Sequence, residues 1–372
     1  MRLEKIVCEQ FRRLSRVAME PAPGINVLFG GNAQGKTSLL EAVLYAATAR
    51  SHRALSDREL VQHGTEGFYV SITAAGAAGR VTVDARWWQN QKRFRINGAV
   101  PDRLSDLLGR VHVVLFAPDD IELVKGSASG RRRFLDICLS RVHGGYLRAL
   151  QAYRQVLRQR NALLKRPQPD SALLESFDVM LAEHGATIVR ERTAWIARLD
   201  TAAAALYRRL AAGRETLQIR YAPDIRGADQ YLDTLKRSRE SDLKSGATCR
   251  GPHRDDLRFQ VDGQALEMFG SQGQQKSTAL ALRLAEAHLT REESGEEPIL
   301  LLDEIFSDLD EQRTELVLEI LPQDAQALVT TARPVESLPA RLRNARMFRV
   351  INGDIIAPRM FRVINGDIIA HG

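Results

Sequence analysis

Cysteine is scarce in this chain: Cys8, Cys138 and Cys249 are the only three among 372 residues. They stand far apart with no C-x-x-C pair, which excludes a disulfide framework and a tetrahedral zinc site built from thiolates alone. Long apolar runs are missing as well. Nothing approaches the ~18–20 residues that a membrane-spanning helix needs, and Met1-Arg2-Leu3-Glu4-Lys5 lacks the apolar stretch of a signal peptide. A soluble cytoplasmic protein with no membrane partner is expected. Nuclease-like metal clusters, Ser/His/Asp arrangements at usable spacing and base-reading DNA motifs are also absent. What is present suffices for a buried core, with 44% hydrophobic residues, and the length allows two or three domains. Lys and Arg outnumber Asp and Glu by 53 to 46, a net charge of +7 that favours a polyanionic partner such as nucleic acid.

The first hundred residues alternate short β-type runs with Gly-containing breaks: 3–8, 25–29, 68–72, 81–88 and 93–96. One helical pattern, 37–49, interrupts them. A strand followed by a helix opening on glycines predicts an α/β nucleotide-binding layer, and the later strands predict an antiparallel side sheet. After a strand at 111–116, residues 131–213 are helical almost throughout. Leu150, Tyr153, Leu157 and Leu164 form one stripe; Leu173, Phe177, Leu181, His184, Ile188, Trp195, Leu199, Ala202, Leu206 and Leu210 form a second. Pro167 and Pro169 separate them, where a helix has to stop. Either an antiparallel helical hairpin with an arm of ~40 residues, ~60 Å long, or a compact all-α lobe satisfies this pattern. From Gly251 the chain returns to α/β character, with strands at 257–261, 299–302 and 325–330 and helices at 274–291 and 311–321.

At the end, Arg346 to Ala357 recurs unchanged as Arg359 to Ala370, with Pro358 between. Asn352-Gly353 between β-type runs predicts a hairpin. The second copy reads as a recent duplication and is expected to be dispensable.

Gly30-Gly31-Asn32-Ala33-Gln34-Gly35-Lys36-Thr37 fits G-x-x-x-x-G-K-[ST] between a strand and a helix, a match that chance supplies on the order of once in a hundred chains of this length. Glycines let the backbone wrap phosphates, and the loop N–H groups and helix N-terminus, from Lys36 through Ser38, face the negative charge. Lys36 is placed for the β- and γ-phosphates and Thr37 for Mg²⁺. Ile299-Leu-Leu-Leu-Asp303-Glu304 reads as a buried strand ending in two acids; Asp303 is placed for the Mg²⁺ shell and Glu304 to orient or deprotonate a water. Ser271-Gln272-Gly273-Gln274-Gln275 precedes a long amphipathic helix, as a polar cap or an anion site. Asp308 and Asp310 open another helix and need be nothing more than caps.

In this order, phosphate loop, helical insertion, Ser-Gln-Gly-Gln-Gln, Leu-Leu-Leu-Asp-Glu and Ser307-Asp-Leu-Asp310, the chain resembles the ABC-type ATPases, and among these the RecF family of the SMC-like branch. Further matching stretches are 35–42, 116–120, 125–126 with 131–136, 158–164 and 251–256. The resemblance reaches to about residue 357. It implies an ABC-type ATPase head, with a mixed sheet plus an antiparallel side sheet, formed by 1–130 and 250–357. It also implies an inserted helical lobe or short coiled-coil arm at 131–249, followed by the duplicated tail 358–372. It implies a weak Mg²⁺-dependent ATPase acting as a DNA-binding switch in recombinational repair and replication restart. ATP on residues 30–37 of one subunit would be closed over by Ser271, Gln272, Gly273 and Gln274 of a second, with Asp308 and Asp310 at the seam of an ATP-dependent homodimer. Implied partners are duplex DNA, gapped junctions, single strands more weakly, and RecR and RecO in loading RecA. The basic clusters Arg131-Arg132-Arg133, Arg12-Arg13 and 50–53 are guesses for DNA, with a solvated face or helix surface as the plain alternative for each. Thr330-Thr331 stands where transporters of the wider family place a switch histidine, which argues for slow hydrolysis; residues 116–120 are only a candidate glutamine loop. A transporter subunit predicts an LSGGQ-type signature and that histidine, and has neither here. A chromosome-organising ATPase predicts arms of hundreds of residues or a C-x-x-C hook, and Gln168 at the expected tip has no cysteine near it.

Overall fold

Leu3, Ile6, Cys8 and Phe11 are buried along the first strand, β1 (Arg2–Phe11), and the spacing slips between Leu3 and Ile6 where the register shifts by one residue. The structure is a computed structural model that describes residues 1–372 except 228–229, 308–310, 357–360, 365–366 and 371–372, and the backbone alone of 361–364 and 367–370. After β1 come β2 (Leu14–Met19), β3 (Ile25–Phe29), α1 (Lys36–Thr48), β4 (Gly67–Gly76), β5 (Gly79–Trp88), β6 (Gln91–Ile96) and β7 (Val113–Phe116). Strands β2-β1-β4-β5-β6, in that order, make the expected antiparallel side sheet. Helix α1 packs on β1, β4 and β5 and also on β7 and on strands of a second sheet, so it is buried on nearly every side and carries no polar face.

Residues 119–289 form a separate compact unit. Its elements are α2 (Ile121–Lys125), α3 (Ala128–Val142), α4 (Gly144–Leu164), α5 (Ser171–Leu210), β8 (Leu217–Ala222), α6 (Tyr231–Ser245), β9 (Asp256–Val261), β10 (Gln264–Ala265), α7 (Leu266–Phe269) and α8 (Gln272–Ser294), whose final residues belong to the first unit. The long helix α5 has 40 residues and opens on Asp170, whose carboxylate accepts from the Ala172 and Leu173 amides. It packs on α4, β8 and α6. Its buried stripe runs Leu174, Leu181, Ile188, Trp195, Leu199, Ala203 and Tyr207. Leu173 is exposed, and Ala202 and Leu206 are only partly buried, because a straight helix of 3.6 residues per turn drifts away from a strict heptad.

Arg160 of α4 is fully buried and binds Asp178 of α5 and Asp242 of α6, both at 2.7 Å, and the Thr248 hydroxyl at 2.8 Å. Nearby, Arg192 of α5 joins Asp136 of α3 and Asp255, each at 2.8 Å. Strand β9 pairs with β8 and β10 in this unit. The compact units are therefore 1–118 with 290–372 and 119–289, whereas the sequence reading divided the chain at 130/131 and 249/250. β9 and most of α8, read from sequence as part of the α/β layer, pack in the helical core.

The chain returns to the first unit with β11 (Ile299–Asp303), α9 (Glu311–Ile320), β12 (Ala327–Thr331), α10 (Ala340–Arg343), β13 (Arg346–Ile351) and β14 (Asp354–Ile356). The second sheet has the order β14-β13-β3-β12-β11-β7, parallel except for β14. The backbone of β15 (Phe361–Ile364) pairs with β16 (Asp367–Ala370) as a hairpin of its own. No helix among the described residues is long and apolar enough to cross a membrane.

Candidate phosphate-binding site

Strand order brings the two acidic and glycine-rich motifs together: β3 and β11 flank β12, so the loop after Phe29 and the acids after Leu302 emerge side by side at the carboxyl ends of parallel strands. The loop Gly30–Gly35 runs directly into α1, and the cleft it borders, about 760 Å³, is lined by Asn32, Ala33, Gln34, Gly35, Lys36, Thr37 and Ser38 together with Arg12, Arg13, Arg53 and Glu304. Lys36 is buried, and its ammonium donates to the Gly30 and Gly31 carbonyls at 2.8 Å and lies 3.2 Å from Glu304 Oε1.

The Thr37 hydroxyl donates to Asp303 Oδ1 at 2.8 Å, and the Thr330 hydroxyl donates to the same oxygen at 2.8 Å. Burial pushes the Asp303 carboxyl above its ordinary value, and the two hydroxyl bonds oppose that shift. The donor set fits Mg²⁺. The Thr37 hydroxyl at the start of α1 and the Asp303 carboxylate at the end of β11 are hard oxygens, and they would hold the cation together with substrate phosphates and waters. Among the described residues no three His, Cys, Asp or Glu side chains converge on a metal position.

Glu304 is a non-glycine residue at φ 51, in the sparsely populated left-handed region. Its amide donates to Thr330 Oγ1 at 2.9 Å, and its Oε2 accepts from the Ala332 amide at 3.1 Å. The end of β12 therefore fixes both acids. Thr330 was noticed in the sequence only as the residue standing in place of a histidine; its grip on Asp303 and Glu304 is set by register, with Asp303 opposite Thr330. Arg12, read from the sequence only as part of a basic cluster guessed for DNA, is tied to the carboxylate of α1. It forks onto Glu41 of α1 at 3.0 and 3.1 Å, and Glu41 also accepts from Ser51 at 2.5 Å.

In the other unit, Ser271 and Gln274 form a reciprocal cap at the start of α8: the Gln274 amide donates to the Ser271 hydroxyl at 3.2 Å, and the Ser271 amide donates to the Gln274 side chain at 2.9 Å. Ser271 and Gln272 are exposed, Gly273 and Gln274 half-buried. The polar-cap reading of this segment thus holds, and the cap leaves the helix N-terminus facing solvent. Asp308 and Asp310 lie outside the described residues. The arginine guess fares unevenly. Arg131 is buried and engages Asp256 at 2.7 Å and Glu267 at 3.0 Å, so it is committed inside its unit. Arg132 donates to the Asp255 carbonyl at 2.7 Å, and burial beside Arg192 holds it below the ordinary arginine value. Arg133 alone of the three is exposed. Helical spacing predicts one outward arginine among three consecutive ones, and sequence alone does not say which.

Residues 2–353 match the RecF/RecN/SMC N-terminal domain family. The chain is 39% identical to the DNA replication and repair protein RecF of Symbiobacterium thermophilum, covering 96% of this chain and 98% of that one. It is 34% identical to RecF of Staphylococcus carnosus, covering 96% and 100%. Among solved structures it is similar to the recombination mediator protein RecF with ATP, of the RecFOR pathway, with a TM-score of 0.88 at 30% identity over 99% of this chain and 97% of that one. A likeness to an SMC head bound to the C-terminal winged-helix domain of ScpA, TM-score 0.57 at 15% identity, concerns the fold alone.

Proposed function

The chain belongs to the RecF/RecN/SMC N-terminal domain family and, within it, to the RecF proteins, and from that premise we propose that it is an ATP-dependent DNA-binding switch of recombinational repair and replication restart. One observation carries the nucleotide half of this reading: Lys36, Thr37, Asp303 and Glu304, from two separate motifs, meet in one cleft with the lysine buried against three oxygens. ATP phosphates replace the carbonyls around Lys36, and the amides from Gly31 to Ser38 supply the cradle. Thr37 and Asp303 would hold Mg²⁺, which supplies charge neutralisation at the phosphates when bound. Glu304, held by Thr330 and Ala332, orients a water and accepts its proton. The Thr330-Thr331 pair in place of a histidine supports slow hydrolysis.

Residues 1–118 with 290–372 act as the ATPase lobe and 119–289 as the arm lobe. The segment Ser271–Gln274 of one subunit, in which Ser271 and Gln272 are exposed, closes over ATP held by another, so that nucleotide drives a head-to-tail homodimer. Asp308 and Asp310 belong to its seam. Duplex DNA beside a single-strand gap is the substrate, held through phosphates, with single strands bound more weakly and RecO and RecR as cytoplasmic partners in loading RecA. Arg133 is the one arginine of its triplet proposed for DNA. The tail 358–372 is dispensable for this activity.

Light scattering of the parent, Lys36→Ala and Ser271→Arg, with and without ATP and Mg²⁺, followed by duplex binding across a salt series, tests the reading. ATP doubles the mass of the parent alone, and duplex affinity rises with it. A parent that stays monomeric with ATP bound, or that binds duplex equally well without nucleotide, overturns it.

A further inference from the structure

The phosphate loop is held from outside by the end of the chain. Gln34 lies just before its last glycine, and both of its oxygens are occupied by the turn between β13 and β14. The Gly353 amide donates to the Gln34 carbonyl at 2.9 Å, and the Asn352 amide donates to Gln34 Oε1 at 2.6 Å. These two bonds turn the Gln34 acceptors away from the cleft, which leaves the loop amides to face it. The approach is close: a Cβ on Gly30 would sit 2.4 Å from the Val350 carbonyl oxygen, and one on Gly353, at φ 88, would sit 1.9 Å from the Arg13 carbonyl oxygen. Only glycine fits at either point.

That turn belongs to the segment that the chain contains twice. In the first copy Arg349, Val350 and Ile351 pair with Ile356, Ile355 and Asp354. In the second, Arg362, Val363 and Ile364 pair with Ile369, Ile368 and Asp367, the same register at equivalent positions. Two identical hairpins therefore exist for one seat, because β3 has β12 on its other side. We infer that the Asn352–Gly353 turn positions the phosphate loop and that the second copy, whose sequence repeats Asn352-Gly353 as Asn365-Gly366, takes over that seat when the first is disabled. The identical sequence offers the seat the same residue types from either copy. The first is preferred because its connection to α10 is short; seating the second lengthens that connection to residues 344–358, a loop-closure penalty on the order of tenfold.

The inference rests on the nucleotide reading of the loop, so the test carries one readout with nucleotide and one without. Gly353→Val, Gly366→Val and the double variant are made in the full chain. Amide exchange across residues 28–40 is measured without nucleotide, and ATP affinity by titration. Gly366→Val matches the parent in both, Gly353→Val stays within about tenfold of it, and the double variant loses exchange protection and affinity by 100-fold or more. If the double variant fails to fold while Gly353→Val folds, takeover by the second copy is shown more strongly. Gly353→Val behaving as badly as the double variant overturns the takeover; a double variant like the parent overturns the positioning role. A parent that binds no ATP refutes the nucleotide reading, and the exchange comparison still decides this one.

Discussion

Lys36 and Asp303 sit at opposite ends of one electrostatic problem. The lysine is buried with three oxygen partners, so a phosphate entering the loop exchanges one set of acceptors for a charged one. Lys36→Ala removes a charge-assisted contact of ~1.5–3 kcal/mol, and nucleotide affinity in a fluorescent-analogue titration falls about 10- to 100-fold. Asp303 is a carboxylate whose ionisation burial opposes. Its folded-state value lies above its unfolded one, so ionising it weakens the fold as pH rises through that folded value. Asp303→Asn keeps an oxygen for Thr37 and Thr330 and removes the charge. In the absence of nucleotide and magnesium its thermal midpoint at pH 8 exceeds the parent's, and the gap narrows toward acid pH, while magnesium-dependent nucleotide binding is lost. A parent and variant with the same midpoint across that pH range would contradict this account.

Among the elements, the α4–α5–α6 packing depends on Arg160, which bridges Asp178 and Asp242 with all three side chains at 0% exposure, while Arg239 pairs with Asp178 alone. Arg160→Ala leaves two buried carboxylates without it, and chemical denaturation registers a loss of about 3–5 kcal/mol. His253 adds a pH limb: its Nδ1 accepts from Tyr153 at 2.7 Å and its Nε2 donates to the Thr248 carbonyl at 2.9 Å, and burial holds it below its ordinary value. The neutral ring is the folded form, so stability is complete above pH ~6.5 and declines as pH falls below it. His253→Gln flattens that decline in urea titrations between pH 7 and 5. Legibility in the sequence differed at this scale. β3 with α1, and the apolar strand β11, announce themselves through local pattern, and α5 through its stripe and prolines. β2, β8 and α6 were missed because their polar faces dilute any period and only their partners bury the rest. Arg131 shows the same limit in a side chain, since charge is readable and the carboxylates that neutralise it come from 125 and 136 residues away in sequence.

For the whole molecule, the proposed coupling of ATP to DNA obeys reciprocity: if nucleotide tightens duplex binding by some factor, duplex tightens nucleotide by the same factor. Paired titrations of the parent, duplex against ATP and ATP against duplex in the same buffer, agree within error. Duplex affinity falls steeply with salt, and Arg133→Ala reduces the logarithmic slope by about one. A slope unchanged in that variant moves the contact elsewhere on the basic surface. The sheet that supports the phosphate loop has a further consequence, in the time it takes to make the protein. Strand β3 is translated early, yet its two neighbours, β12 and β13, are more than 290 residues downstream. At about 5–20 residues per second the nascent chain carries an apolar strand with both edges unpaired for some tens of seconds. The interval in which this chain most needs shielding from aggregation is therefore its own synthesis.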